Sequence, residues 1–343
     1  MAREHNELLT DLLEGVSRSF YLTLRVLPKP IRPQIGLAYL LARTTDTIAD
    51  TEIVGVEQRL EALQALRERI LGRSAAPLDF GRLAQQQGLP AERVLLEKCE
   101  ASLALLQAQS ELDQKLICEV LDVITGGQEL DLKRFGNPAP GKLIALQTDA
   151  ELDDYTFRVA GCVGQFWTRV CLAHQFSTAA TSAPSFEQLG VRFGKGLQLF
   201  NILRDMPADL AKSRCYIPSA RLSAIGLAPE DLLRPEIEPK FRPLYNQYLD
   251  LTESHLAAGW RYTNLIPMSQ MRVRLACAWP ILIGLQTIAR LRSGNVLDPR
   301  QRIKINRREV RAMMLRSIFY YPLPYIWRRM AGSKAVAITP FLS

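Results

Sequence analysis

Residues 36–51 read GLAYLLARTTDTIADT. The apolar run from Gly36 to Leu41 passes without a turn signal into Asp46 and Asp50. The pattern is helical, so the two carboxylates lie about 6 Å apart along the axis and on one face. A second stretch, residues 194–210, reads GKGLQLFNILRDMPADL and repeats the arrangement with Asp205 and Asp209. Arg43 lies three residues before the first pair and Arg204 directly precedes the second. One D-x-x-x-D is an ordinary solvated helix face. Two of them, each following an apolar run and each beside an arginine able to orient a carboxylate or grip phosphate oxygens, point to hard-cation chemistry. Magnesium keeps several waters and takes one or two carboxylates plus phosphate oxygens, so two such half-sites suit a diphosphate held through metal ions.

Outward from these stretches the chain reads as all-α. Three-to-four-residue apolar spacing runs through about 6–24, 31–50, 56–72, 91–109, 112–133, 149–177, 185–211, 235–264, 268–293 and 307–330, and no convincing strand appears. At 343 residues, with 48% hydrophobic content and no linker that forces a division, one large helical domain over 1–299 is expected, followed by a basic, aromatic helical segment over 300–343. Residues 275–291, LACAWPILIGLQTIARL, form the most apolar run. Pro280, Gln286 and Arg290 interrupt it, which predicts a core helix lining an apolar cavity and not a membrane span.

Six cysteines without a C-x-x-C spacing, and an N-terminus without an apolar signal core, predict a reducing, cytoplasmic setting. The net charge of +8 is concentrated: residues 300–334 carry ten basic side chains against Glu309, which leaves the rest of the chain at −1. Interleaved with Leu315, Phe319, Tyr320, Tyr325 and Trp327, that charge fits a membrane surface or a solvated outer helix face. No recognition motif accompanies it, so nucleic acid is not expected as a partner. His5, His174 and His255 share no metal-ligand spacing, and Gly194-x-Gly196 lies inside a helix with no preceding strand, so it is no dinucleotide fingerprint.

The chain resembles the squalene and phytoene synthases, head-to-head prenyl transferases of the helical isoprenoid synthase fold. The matching stretches are Ser17-Arg18-Ser19-Phe20, Tyr39 through Asp50, Tyr155 with Val159-Ala160-Gly161, Gln198 through Asp209, and Arg214 with Tyr216-Ile217-Pro218. They follow the family's order over roughly residues 15–293. Within the family, Cys277-Ala278-Trp279-Pro280 and Arg302-Ile303-Lys304-Ile305 look like the squalene branch.

The resemblance implies two farnesyl diphosphates in an apolar cavity, with Mg2+ on Asp46, Asp50, Asp205 and Asp209. Ser17, Arg18, Ser19, Phe20, Tyr39, Arg43, Gln198, Asn201, Arg204 and Arg214 would bind substrate, and Tyr155 would assist proton transfer. It implies presqualene diphosphate formation and then NADPH-dependent reduction to squalene, with rings such as Tyr21, Phe166, Phe200 and Trp279 excluding water. Gln128 and Asp131, polar within an apolar helix, are expected near the pocket. Two departures stand out. Pro207 inside the second motif is expected to kink its helix and shift Asp209, and Ala276 stands where the squalene branch would have an aromatic. Synthases of phytoene, dehydrosqualene, hydroxysqualene or presqualene diphosphate, and a non-catalytic binding or assembly protein, are the alternatives. A peripheral contact of the C-terminal segment with the membrane surface completes the expectations.

Overall fold

Residues 8–17, 24, 26–139, 141–177 and 182–332 are described by a computed structural model, with the backbone alone at 10, 11 and 17. A π-turn at Leu8–Leu12 runs into α1 (Leu13–Ser17), and the chain continues through α2 (Arg32–Asp50), α3 (Val56–Ile70), α4 (Gly81–Gln85), α5 (Pro90–Glu97), α6 (Cys99–Gln107) and α7 (Glu111–Phe135). Then come α8 (Asp149–Thr156), α9 (Cys162–His174), α10 (Ala183–Ala211), α11 (Ser219–Ser223), α12 (Glu238–Leu265), α13 (Met271–Leu291), α14 (Arg307–Tyr320) and α15 (Pro324–Arg329). The class is all-α, as the apolar spacing predicts.

Three local differences from the expected elements stand out. The segment expected as one helix over 149–177 contains a π-turn at Phe157–Gly161, between α8 and α9. The segment expected over 307–330 breaks between α14 and α15, where Pro322 and Pro324 cannot donate to the preceding turn. Two residues of parallel strand, β1 (Ile144–Ala145) and β2 (Arg214–Cys215), pair Ile144 with Arg214 and Ala145 with Cys215, a bridge too short to leave an alternating pattern.

The chain groups into two compact units, residues 1–137 with 166–176, and residues 138–165 with 177–343. In the first, α2 and α3 pack on α7. The inward side of α2 carries Ile35, Leu37, Leu40, Leu41, Thr44 and Ile48, all buried. Thr44 is fully buried at no hydrogen-bonding loss, because its hydroxyl donates back to the Leu40 carbonyl at 3.0 Å.

In the second unit, α10 lies along α12 and against the π-turn. Glycine makes that approach possible. A Cβ on Gly194 would stand 2.0 Å from the Ala160 carbonyl oxygen, and one on Gly196 would stand 2.8 Å from His255 Cβ. The Gly194-x-Gly196 pair is therefore a helix-packing device. Residues 275–291 lie in α13, whose Leu275, Cys277, Ala278, Ile281, Leu282 and Ile288 are buried. Among the described residues no helix is long and apolar enough to cross a membrane.

Candidate active site

Tyr39, Arg43, Asp46 and Asp50 recur every three to four residues along α2, and all four retain solvent access while Leu40, Leu41, Thr44, Thr45, Thr47 and Ile48 between them are buried. Gln128 of α7 donates from Nε2 to Asp46 Oδ1. Arg43 Nη1 stands 4.0 Å from Asp46 Oδ2, but the same guanidinium binds Glu92 more closely, at 2.5 Å. Asp46 keeps 49% of its side-chain surface, yet the surrounding protein displaces enough water to push its carboxyl up to about 6. The neighbouring Asp50 charge adds to that rise, and Arg43 and Gln128 oppose it.

A crowded carboxylate that resists ionisation beside a second one favours a bound cation. Gln128 Oε1 is buried without a hydrogen-bond partner, an acceptor suited to a metal-bound water. The donor set thus fits Mg2+. Among the described residues no three or more His, Cys, Asp or Glu side chains converge, and each aspartate pair offers two carboxylates. Two is within what magnesium takes when phosphate oxygens and waters complete its shell.

The second unit repeats this design on α10, where Gln198, Asn201, Asp205 and Asp209 share one partly accessible stripe beside buried Leu199, Phe200, Ile202, Leu203, Met206 and Leu210. The expected kink at Pro207 does not divide the helix: α10 runs unbroken from Ala183 to Ala211. Proline at 207 removes the N–H that would meet the Leu203 carbonyl, and the fully buried Tyr245 of α12 supplies the missing donor, Oη to O, at 3.0 Å. Asp205 and Asp209 therefore stay on a single helix.

Arg204 holds Asp205 through both carboxylate oxygens, Nε to Oδ1 at 2.8 Å and Nη2 to Oδ2, while its guanidinium lies 5.0 Å from the centre of the Phe200 ring. Of the two roles the sequence offers this arginine, orienting a carboxylate or gripping phosphate oxygens, the first is the one seen here. Past Asp209 the helix ends through Ser213, whose φ of 61° lies in the left-handed region. That turn delivers Arg214 into β2, where pairing with Ile144 fixes it. Asp209, Arg214 and Tyr216 line one small recess with Met206, Cys215 and Ile217. Burial, with a contribution from the Asp209 charge, pushes the Cys215 thiol up to about 12, so it is an inert apolar group at neutral pH.

Tyr155, near the end of α8, donates its hydroxyl to the Tyr216 hydroxyl at 3.1 Å, with ring centroids 4.7 Å apart. The π-turn begins two residues later. A turn of this kind often marks a functional position in a helix.

Arg18, Ser19, Phe20 and Tyr21 lie outside the described residues, as does His5; of Ser17 only the backbone at the end of α1 is described. Phe166 and Phe200 are buried. Trp279 is held by the C-terminal segment, Nε1 donating to Ser317 Oγ at 2.9 Å. Asp131 Oδ1 is buried on α7, three residues beyond Gln128. Sequence reasoning did not single out Glu92, Tyr216 or Tyr245 as site residues. For Tyr245 a signal existed, because Pro207 leaves a carbonyl one turn back that some donor has to meet.

The squalene/phytoene synthase family model matches residues 13–309. The chain belongs to this family. It is 28% identical to the squalene synthase of Saccharomyces cerevisiae over 280 residues, covering 81% of this chain and 60% of the relative. It is 30% identical to the presqualene diphosphate synthase of Zymomonas mobilis over 243 residues, 71% and 70% of the two chains. With the bifunctional lycopene cyclase/phytoene synthase of Blakeslea trispora it shares 28% over 214 residues, 61% of this chain but 32% of that one. The match thus spans about a third of the fungal bifunctional protein and three fifths of the yeast one.

Solved structures agree on the fold. TcSQS in complex with a ligand superposes with a TM-score of 0.77 at 19% identity, covering 100% of this chain and 94% of that one. The squalene synthase HpnC from Alicyclobacillus acidocaldarius gives 0.61 at 20%, with 85% and 95% covered. The family is one of isoprenoid prenyltransferase-like enzymes, and its members named here differ in product.

Proposed function

We propose that the protein joins two farnesyl diphosphates head to head into presqualene diphosphate and then reduces that intermediate to squalene. The observation that carries the reading is the pair of accessible stripes, Tyr39–Arg43–Asp46–Asp50 on α2 and Gln198–Asn201–Asp205–Asp209 on α10, in a chain of this family.

Asp46, Asp50, Asp205 and Asp209 would hold Mg2+, which when bound supplies positive charge to the leaving diphosphate. Arg43, Arg204 and Arg214 add fixed positive charge near those carboxylates, and Arg18 is assigned the same part on the family resemblance. With Ser17, Ser19, Phe20, Tyr39, Gln198 and Asn201 they orient the substrates. Cyclopropane closure requires a proton to leave carbon. The Tyr155 hydroxyl, hydrogen-bonded to that of Tyr216, is the group on this chain that would receive or relay it. NADPH as the hydride source rests on the family resemblance alone, since Gly194 and Gly196, the nearest thing to a nucleotide fingerprint, are occupied in packing against Ala160 and His255. Delivery of a water-insoluble hydrocarbon accords with a lipid contact through residues 300–343.

A second reading, in which the reaction stops at presqualene diphosphate, is favoured by Ala276. It is buried and small where the squalene branch is expected to carry an aromatic that faces a late cation. One experiment separates the readings. The pure protein is incubated with farnesyl diphosphate and Mg2+, with and without NADPH, and the products are identified. Squalene in the NADPH sample is the expected result. Presqualene diphosphate in both samples supports the second reading, and binding without diphosphate release would mean a non-catalytic protein.

A further inference from the structure

We propose that Glu92 is a positioning residue for the first aspartate pair: it draws Arg43 away from Asp46 and so keeps that carboxylate open to a divalent cation. The role rests on the reading that Asp46 and Asp50 hold Mg2+, and on no later step of the reaction.

Arg43 and Asp46 lie three residues apart on α2, a spacing at which a guanidinium can close on a carboxylate. It does not close here. Nη1 stops 4.0 Å from Asp46 Oδ2, too far for a hydrogen bond, while Nη2 donates to Glu92 Oε1 at 2.5 Å. Glu92 belongs to the first turn of α5, which packs against α2. Its side chain is 18% exposed and that of Arg43 is 23% exposed, so solvent ions screen the pair weakly. The aspartate gains from this. Gln128 occupies Oδ1, and Oδ2 faces Arg43 across an open gap.

The second pair shows the opposite arrangement. Nε and Nη2 of Arg204 take one oxygen each of the Asp205 carboxylate. A guanidinium seated on both oxygens competes with a cation for the same lone pairs. Asp46 escapes that competition because an acid on another helix has claimed its arginine. An acid in a first turn also stabilises its own helix against the dipole. That contribution involves neither Arg43 nor a metal, so metal affinity isolates the positioning role.

The test is titration of the purified full chain with Mn2+, which takes the same oxygen ligands as Mg2+, followed by the loss of the free-ion electron paramagnetic resonance signal with no substrate present. Glu92→Gln should weaken binding about tenfold, the scale on which groups behind a metal ligand act. Arg43→Gln leaves no guanidinium to close on Asp46, so adding Glu92→Gln to it should change affinity by less than about twofold. Glutamine keeps the shape of glutamate, and unchanged far-UV circular dichroism checks that the variants fold. Equal weakening by Glu92→Gln in both backgrounds would overturn the proposal, because Glu92 would then act through its charge alone. Asp46→Asn locates the ion. Absence of Mn2+ binding, or binding indifferent to Asp46→Asn, would overturn the metal site and the role of Glu92 together. Binding that depends on Asp46 but is unaltered by Glu92→Gln would sink the role of Glu92 alone.

Discussion

Tyr245 and Leu203 stand 42 residues apart in sequence and meet through one hydrogen bond, the buried phenol donating to the carbonyl that Pro207 leaves unmet. The bond should matter only because residue 207 is proline. Tyr245→Phe is expected to cost about 1–2 kcal/mol in denaturant unfolding, since it orphans a buried carbonyl. In a Pro207→Ala background the helix regains its own donor and the same change should cost close to nothing. Equal costs in both backgrounds would mean that Tyr245 acts through packing alone.

Asp46→Asn and Asp205→Asn should each lower turnover of farnesyl diphosphate on the order of a hundredfold or more, as removal of charge stabilisation at a reacting centre does. Helical content should stay as it is, because both side chains are close to half exposed. Loss of circular dichroism in step with activity would make the pairs structural.

Gln128→Ala removes the donor to Asp46 and the orphaned acceptor beside it. The Mg2+ concentration for half-maximal activity is expected to rise about tenfold, the usual scale for a group that supports a metal ligand. A metal titration on the purified variant measures this, and an unaltered requirement would count against a supporting role.

Burial, aided by the Arg192 and Lys195 charges and partly opposed by Asp153, holds the His255 imidazole down to about 4 from its ordinary 6.5. Between those values the unfolded chain binds a proton that the folded chain refuses, so stability should fall as pH drops from about 6.5 towards about 4. The loss is on the order of 2 kcal/mol after allowance for remaining solvent contact. His255→Gln should flatten this part of the stability profile, measured by denaturant midpoints across the window.

Gly194→Ala would drive a methyl group into the Ala160 carbonyl. A cost of about 1–3 kcal/mol is expected from forcing α10 away from the π-turn, read from the shift in thermal midpoint.

The legible parts of the site were those written in local spacing. Asp46 with Asp50 and Asp205 with Asp209 announce themselves at i, i+4, and Arg43, Gln198 and Asn201 follow on the same faces because helical phase alone puts them there. Gln128 could be flagged as a polar residue in an apolar helix, although its partner Asp46 is 82 residues away. Relations between elements were not legible. Glu92 looks like any first-turn acid of a surface helix until it meets Arg43, and Trp279 looks like a cavity ring until its N–H is found on Ser317. The bridge that fixes Arg214 is two residues long, below the length at which alternation carries information. In the fold, apolar periodicity gave the helices, whereas the break between α14 and α15 followed from prolines that the period alone ignores.

The π-turn at 157–161 also acts as a phase shifter. It inserts one residue beyond the α-helical count, and each residue advances a helix by about 100°. Residues before it, Tyr155 among them, are thereby dialled to a different azimuth from those after it, such as Gly164, which packs against the Gly190 backbone. Deleting a single residue within 157–161 would restore a continuous helix of nearly equal content while swinging the Tyr155 phenol away from Tyr216, so the rotational setting of this side chain is encoded in chain length as much as in residue type.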